Sequence, residues 1–219
     1  MTKICTYCQR PESEHTEAND YACPESALRE LARLEVSQKL LDAQQVAQET
    51  LQQTFDGSVR LGVDQKAIEA CRAFQDAKEK HLRIYGAYGT GKTGLSRAIL
   101  NVAMELRQEV MEIKAIPLAQ HLNSFKDWKL FETMKWVPVL LIDDLDKATW
   151  KIKPVQRLWE IMDARYDRKV KTIITMNMTP KQVQEKMKRE CPEDPNLITS
   201  LWQRMQPAIR AELRGERLR

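Results

Sequence analysis

Gly86, Ala87, Tyr88, Gly89, Thr90, Gly91, Lys92 and Thr93 fit the pattern G-x-x-x-x-G-K-[ST]. That pattern demands a strand, then a glycine loop, then a helix. Leu82 to Tyr85 reads as a short buried strand just before it. Leu95 to Leu106 reads as a helix just after it, with apolar residues at 95, 98, 99, 102, 103 and 106. Glycines in such a loop let backbone N–H groups turn inward around phosphate oxygens, and the helix N-terminus adds partial positive charge. The motif assigns Lys92 to the β- and γ-phosphates and the Thr93 hydroxyl to a Mg²⁺ ion.

A second element fits the first. Val110 to Ile116 alternates as a strand that Pro117 would end, and Leu118 to Trp136 looks helical in part. Val137 to Ile142 then reads as a buried strand running into two carboxylates, Asp143 and Asp144. This is the Walker B arrangement: Asp143 would hold the Mg²⁺ water shell and Asp144 would orient or deprotonate an attacking water. Its distance from the glycine loop is what two strand–helix units require. Val155 to Tyr166 reads as the next helix and Val170 to Thr175 as the next buried strand, with Asn177 just past its end. Local sequence alone makes Asn177 a turn residue before Pro180; between the two motifs it would lie near a γ-phosphate. Pro180 to Arg189 and Leu197 to Gln206 read as helices, the latter containing Arg204, and Ile209 to Leu213 as a last strand. Strands alternating with helices predict an α/β fold, a parallel sheet covered on both faces.

The 219 residues allow one core domain and a small appendage. The longest apolar run, Val137 to Ile142 with Pro138 inside it, is too short to span a membrane, and no apolar signal core opens the chain. The expectation is a cytoplasmic protein with no membrane partner. A net charge of +4 permits nucleic-acid contact without arguing for it. Cys71 falls in a helical pattern with Ile68 and Phe74 and reads as core, whereas Cys191, before Pro192, has no assigned role.

Cys5, Cys8, His15 and Cys23 crowd the first 23 residues, which hold almost no large apolar side chains. The C-x₂-C pair and two further ligands suit a structural Zn²⁺ in residues 1–25; the alternative is a disordered tail with incidental cysteines. From Ser26 a helical stripe of Leu28, Leu31, Leu34, Leu41 and Val46 begins. It serves either to pack on the core or to dock a partner, and it makes residues 26–55 an arm or linker. Phe55 to Ser58 breaks the stripe, so the catalytic domain is expected over 56–219.

Together the segments Tyr85 to Thr93, Leu140 to Leu145, Thr172 to Pro180 and Leu201 to Met205, with the closing Glu212 to Arg219, resemble the AAA+ P-loop ATPases. Within them they are similar to the DnaC/DnaI-type helicase loaders and the related IstB-type transposition helpers. The resemblance covers roughly Phe55 onward and implies a five-stranded parallel sheet with little or no C-terminal helical lid. It implies ATP and Mg²⁺ as ligands, Asn177 as a sensor of the γ-phosphate, and Arg204 as an arginine finger acting in trans on a neighbouring copy. Arg219, or else Arg217, would be a second sensor. Asp144 stands where many AAA+ proteins have Glu, and Gln203 where the family often has Ser; the first departure suits slow turnover.

By the same resemblance the partner is a hexameric replicative helicase, bound through residues 1–55 and helped onto single-stranded DNA. The alternatives are a transposition helper that binds DNA and activates a transposase, or a nucleotide-gated adaptor that hydrolyses little. Phe125, Lys126, Trp128 and Lys129, and again Trp150, Lys151 and Lys153, interleave aromatic and basic residues as single-strand binding sites do. The alternative for each is a core aromatic beside solvated lysines.

Overall fold

The computed structural model describes residues 53–78, 80–124 and 127–215. The four expected zinc ligands, nearly all of the 26–55 arm, Phe125, Lys126, Arg217 and Arg219 lie outside the described residues. Thr54 caps the first helix, α1 (Phe55–Arg60), its hydroxyl accepting from the Gly57 N–H at 2.9 Å. The stretch expected to break helical structure thus forms a short helix. Asp64 caps α2 (Gln65–Ala73) in the same way.

The alternation continues as β1 (His81–Gly86), α3 (Lys92–Glu105), β2 (Val110–Lys114), α4 (Ala115–Ser124), α5 (Trp128–Trp136) and β3 (Val139–Asp143). Then come α6 (Ile152–Arg168), β4 (Lys171–Met176), α7 (Pro180–Glu190), α8 (Pro195–Arg204) and β5 (Ala208–Leu213). Two boundaries correct the sequence reading. Pro117 does not end β2; the strand stops at Lys114 and Pro117 sits in the first turn of α4. Likewise α6 begins at Ile152, with Pro154 in its first turn. Proline is tolerated there because first-turn N–H groups have no intrahelical acceptor to lose.

The five strands are all parallel, in the order β2-β3-β4-β1-β5. Period-two alternation sends Val139 and Leu141 of β3 and Ile173 of β4 to one face, where they meet Ile68, Phe74, Leu95 and Ile99. Leu140, Ile142, Ile174 and Met176 go to the other face, against Leu118, Phe131, Leu158, Ile161 and Leu201. Helices therefore cover both faces, as the near-continuous apolar runs of β3 and β4 require. Cys71 is fully buried, and so is Cys191, which closes α7 as core. Among the described residues no helix is long and apolar enough to cross a membrane.

Buried cations tie the layers together. Arg165 of α6 donates to the Thr172 hydroxyl at 2.8 Å, to the Met134 carbonyl at 2.7 Å, to the Val137 carbonyl at 2.9 Å and to the Lys171 carbonyl. Arg83 of β1 donates to the Met205 carbonyl at 3.0 Å, with its guanidinium 4.7 Å from the Trp202 ring. His81, at the start of β1, is 2% exposed. Burial pushes its pKa down to about 4, the positive charges of Arg165 and Arg83 push the same way, and the nearby Arg204 carbonyl only partly offsets them.

An unfolded chain would protonate His81 near pH 6.5, the folded chain only near 4. Between those values the unfolded state binds more protons, so stability falls as pH drops through that window. From pH 7 to pH 5 the contribution is about 2 kcal/mol. Urea unfolding at both pH values should show His81→Leu losing about that much less than the wild type; equal losses would place the pH dependence elsewhere.

Candidate functional site

In a parallel sheet the C-terminal ends of all strands lie along one edge, where ligands of open α/β sheets bind. Here β4 lies between β3 and β1, so three loops meet. The glycine loop follows β1, Asp143 ends β3 with Asp144 just after it, and Asn177 follows β4. The glycines have local reasons. Gly89 and Gly91 adopt φ of 81° and 94°, and Gly91 is the N-cap of α3. Gly86 lies opposite Leu213 of β5, and a Cβ there would sit 2.4 Å from the Leu213 carbonyl oxygen. The first glycine of the motif thus also lets β5 pair with β1.

Inside the loop, Lys92 is 6% exposed and its Nζ donates to the Gly86 carbonyl at 2.9 Å and the Ala87 carbonyl at 2.6 Å. Burial lowers its pKa, while Asp144, Asp146 and Asp143 pull the other way. The Thr90 hydroxyl donates to the Ala87 carbonyl at 2.9 Å, bracing the turn, and Tyr88 projects at its tip.

Asp143 is 2% exposed, and its Oδ1 accepts from two hydroxyls, Thr93 at 3.3 Å and Thr175 at 2.5 Å. Thr93 and Asp143 thus bring a hydroxyl from the first turn of α3 and a carboxylate from the end of β3 together. Hard oxygen donors of this kind, left to be completed by water and phosphate oxygens, suit Mg²⁺. Asp144 turns the chain sharply, at φ 59° and ψ 47°, and its N–H donates to the Thr175 hydroxyl at 2.8 Å. Its Oδ2 pairs with Lys147 Nζ at 2.6 Å. Asp146 accepts from the Asn177 backbone N–H at 3.0 Å and from its Nδ2 at 3.3 Å.

The sequence-expected residues Gly86 to Thr93, Asp143, Asp144 and Asn177 therefore converge. Arg204 does not join them. It ends α8, pairs with Asp163 at 2.7 Å, and lies 5.5 Å from the Tyr166 ring. Four residues later Ala208 pairs with His81, the first residue of β1, whereas the glycine loop follows the last. Arg204 thus lies toward the opposite edge of the sheet, about 17 Å of strand away.

The expected single-strand site at Trp150 is corrected: Trp150 is fully buried, its Nε1 donating to the Leu145 carbonyl at 3.0 Å. Only Lys151 and Lys153 of that cluster are exposed. Trp128 is 57% exposed, 5.6 Å from the Phe131 ring.

Thr175, Asp146 and Lys147 were not singled out by sequence. The register pairs Ile142 with Ile174, which sets the next residues, Asp143 and Thr175, side by side. A hydroxyl near the C-terminal end of a buried central strand was the available signal.

A sequence model of the bacterial DnaA ATPase domain matches residues 50–191. The replicative helicase loader DnaI of Bacillus subtilis (strain 168) is 24% identical over 212 residues, covering 84% of this chain and 67% of that protein. A crystal structure of DnaI superposes with a TM-score of 0.66 at 23% identity, covering 78% of this chain and 93% of that one. The replication initiator DnaA bound to AMPPCP and single-stranded DNA superposes with a TM-score of 0.57 at 22% identity over 72% of this chain. This chain spans about half of that DnaA chain, 48%. These structural likenesses show the fold.

Replacing Thr175 by Val removes the shorter of the two hydroxyl contacts to Asp143 Oδ1 and takes the acceptor from the Asp144 N–H, so Thr175→Val should cost about 2 kcal/mol. Thr175→Ser should recover most of it in denaturant unfolding. A stable Thr175→Val beside a destabilised Thr175→Ser would mean that the methyl group, not the hydroxyl, holds the site.

Proposed function

The chain belongs to the bacterial DnaA ATPase domain family, an AAA+ family that binds ATP, and from that premise we propose that it is a slow, partner-stimulated ATPase acting as a replicative helicase loader. It binds a hexameric helicase through residues 1–55 and assists its placement on single-stranded DNA. The observation that carries the loader reading is the likeness to DnaI, which extends over more of the chain than the ATPase segment 50–191.

The site supports nucleotide use. The backbone of residues 86–93 and Lys92 would hold the phosphates. Thr93 and Asp143 would hold Mg²⁺, which neutralises charge on the β- and γ-phosphate oxygens when bound. Asp144 would orient the attacking water and Asn177 the γ-phosphate end. Arg204, toward the far edge of the sheet from its own glycine loop, would complete a neighbouring copy's site, which would make turnover depend on self-assembly. Cys5, Cys8, His15 and Cys23 would fold the docking region around Zn²⁺, and Trp128 and Lys129 would contact single-stranded DNA. Work on replicating DNA implies a cytoplasmic location.

The nucleotide-gated adaptor is the second reading, favoured by one contact: Asp144, the candidate base, is engaged by Lys147.

Native mass spectrometry of the chain mixed with its source's replicative helicase tests the proposal. The full chain should form the complex, a chain beginning at Asp56 should not, and the full chain should carry one zinc. Absence of any complex, with or without ATP, would contradict the loader reading and favour the transposition helper.

A further inference from the structure

The turn that follows the β3 carboxylates holds two of the candidate catalytic groups at once. Asp144 enters it in a left-handed conformation, which Asp tolerates better than most residues. The Lys147 N–H donates to the Asp144 carbonyl at 2.9 Å, closing the 3₁₀ turn Leu145–Lys147. With its N–H fixed by Thr175 and its carbonyl fixed by Lys147, Asp144 keeps only its side-chain torsions. The Lys147 ammonium determines where that carboxylate points, at 2.6 Å from Oδ2, and sits 5.7 Å from the ring centroid of Tyr88 in the glycine loop. Asp146, 7% exposed in the same turn, meanwhile fixes Asn177 through two donors.

We propose that Lys147 is a positioning residue that restrains Asp144: by occupying Oδ2 it holds the carboxylate away from an attacking water and keeps turnover slow. This rests on the reading of Asp144 as the group that orients water. A carboxylate oxygen engaged by an ammonium has less capacity to accept from water. Asp146 has a different task, since its partner Asn177 is held by the backbone as well as the side chain. The Lys147 side chain is 41% exposed, so its replacement leaves the core intact.

The test is steady-state MgATP hydrolysis by the full chain as wild type, Lys147→Met and Lys147→Arg, with affinity for a fluorescent ATP analogue measured alongside. Lys147→Met should raise kcat about fivefold, the scale of one partly exposed ion pair, with KM and analogue affinity unchanged. Lys147→Arg should keep the slow rate, because a guanidinium pairs with the same carboxylate. A wild type that turns over and a Lys147→Met variant no faster would overturn the restraint alone. Loss of analogue affinity in Lys147→Met would overturn it by making Lys147 a nucleotide contact. Binding without turnover in every variant would overturn the restraint together with the hydrolysis reading.

Discussion

One hydroxyl organises the edge of the sheet where the glycine loop and the paired carboxylates meet. Thr175 donates to the Asp143 carboxylate and accepts from the Asp144 N–H. It can do both only because β3 and β4 pair in a register that brings these residues side by side. Asp143 is thereby locked inward, toward Thr93 and the start of α3. Asp144 is turned outward into a left-handed bend. Two adjacent carboxylates thus receive different surroundings, one buried among hydroxyls and the other at the mouth of the turn beside an ammonium.

The rest of the molecule serves this arrangement through rigidity. β4 and β3 are buried on both faces, so their C-terminal ends have little room to shift. Arg165 fastens the opposite ends of the same two strands to α5 and α6 with side-chain donors that satisfy otherwise orphaned carbonyls. Gly86 permits β5 to approach β1 closely, and Asp146 anchors the residue that follows β4. Each loop that reaches the site therefore leaves a strand whose position is over-determined.

The fold was legible because its signals are local. The glycine loop has a fixed spacing, and an apolar run that ends in two acids reads as a buried strand reaching a polar edge. The contacts that set the roles were not legible, since Thr175, Asp146 and Lys147 act through strand register and a left-handed turn that no periodicity encodes. Trp150 was misread for a related reason. Interleaved aromatic and basic residues look alike whether the ring faces solvent or, as here, donates to the Leu145 carbonyl beneath the turn. Pro117 was misread as a strand end because proline forbids helix interiors but fits first turns.

The central claim is that adjacent Asp143 and Asp144 do different work because Thr175 aims them differently. Measuring MgATP affinity and turnover for Asp143→Asn and Asp144→Asn tests it most directly. The account predicts that Asp143→Asn loses Mg²⁺-dependent affinity, by about tenfold or more, and that Asp144→Asn keeps wild-type affinity but loses turnover. The same loss of affinity in both variants, or turnover surviving Asp144→Asn, would contradict it.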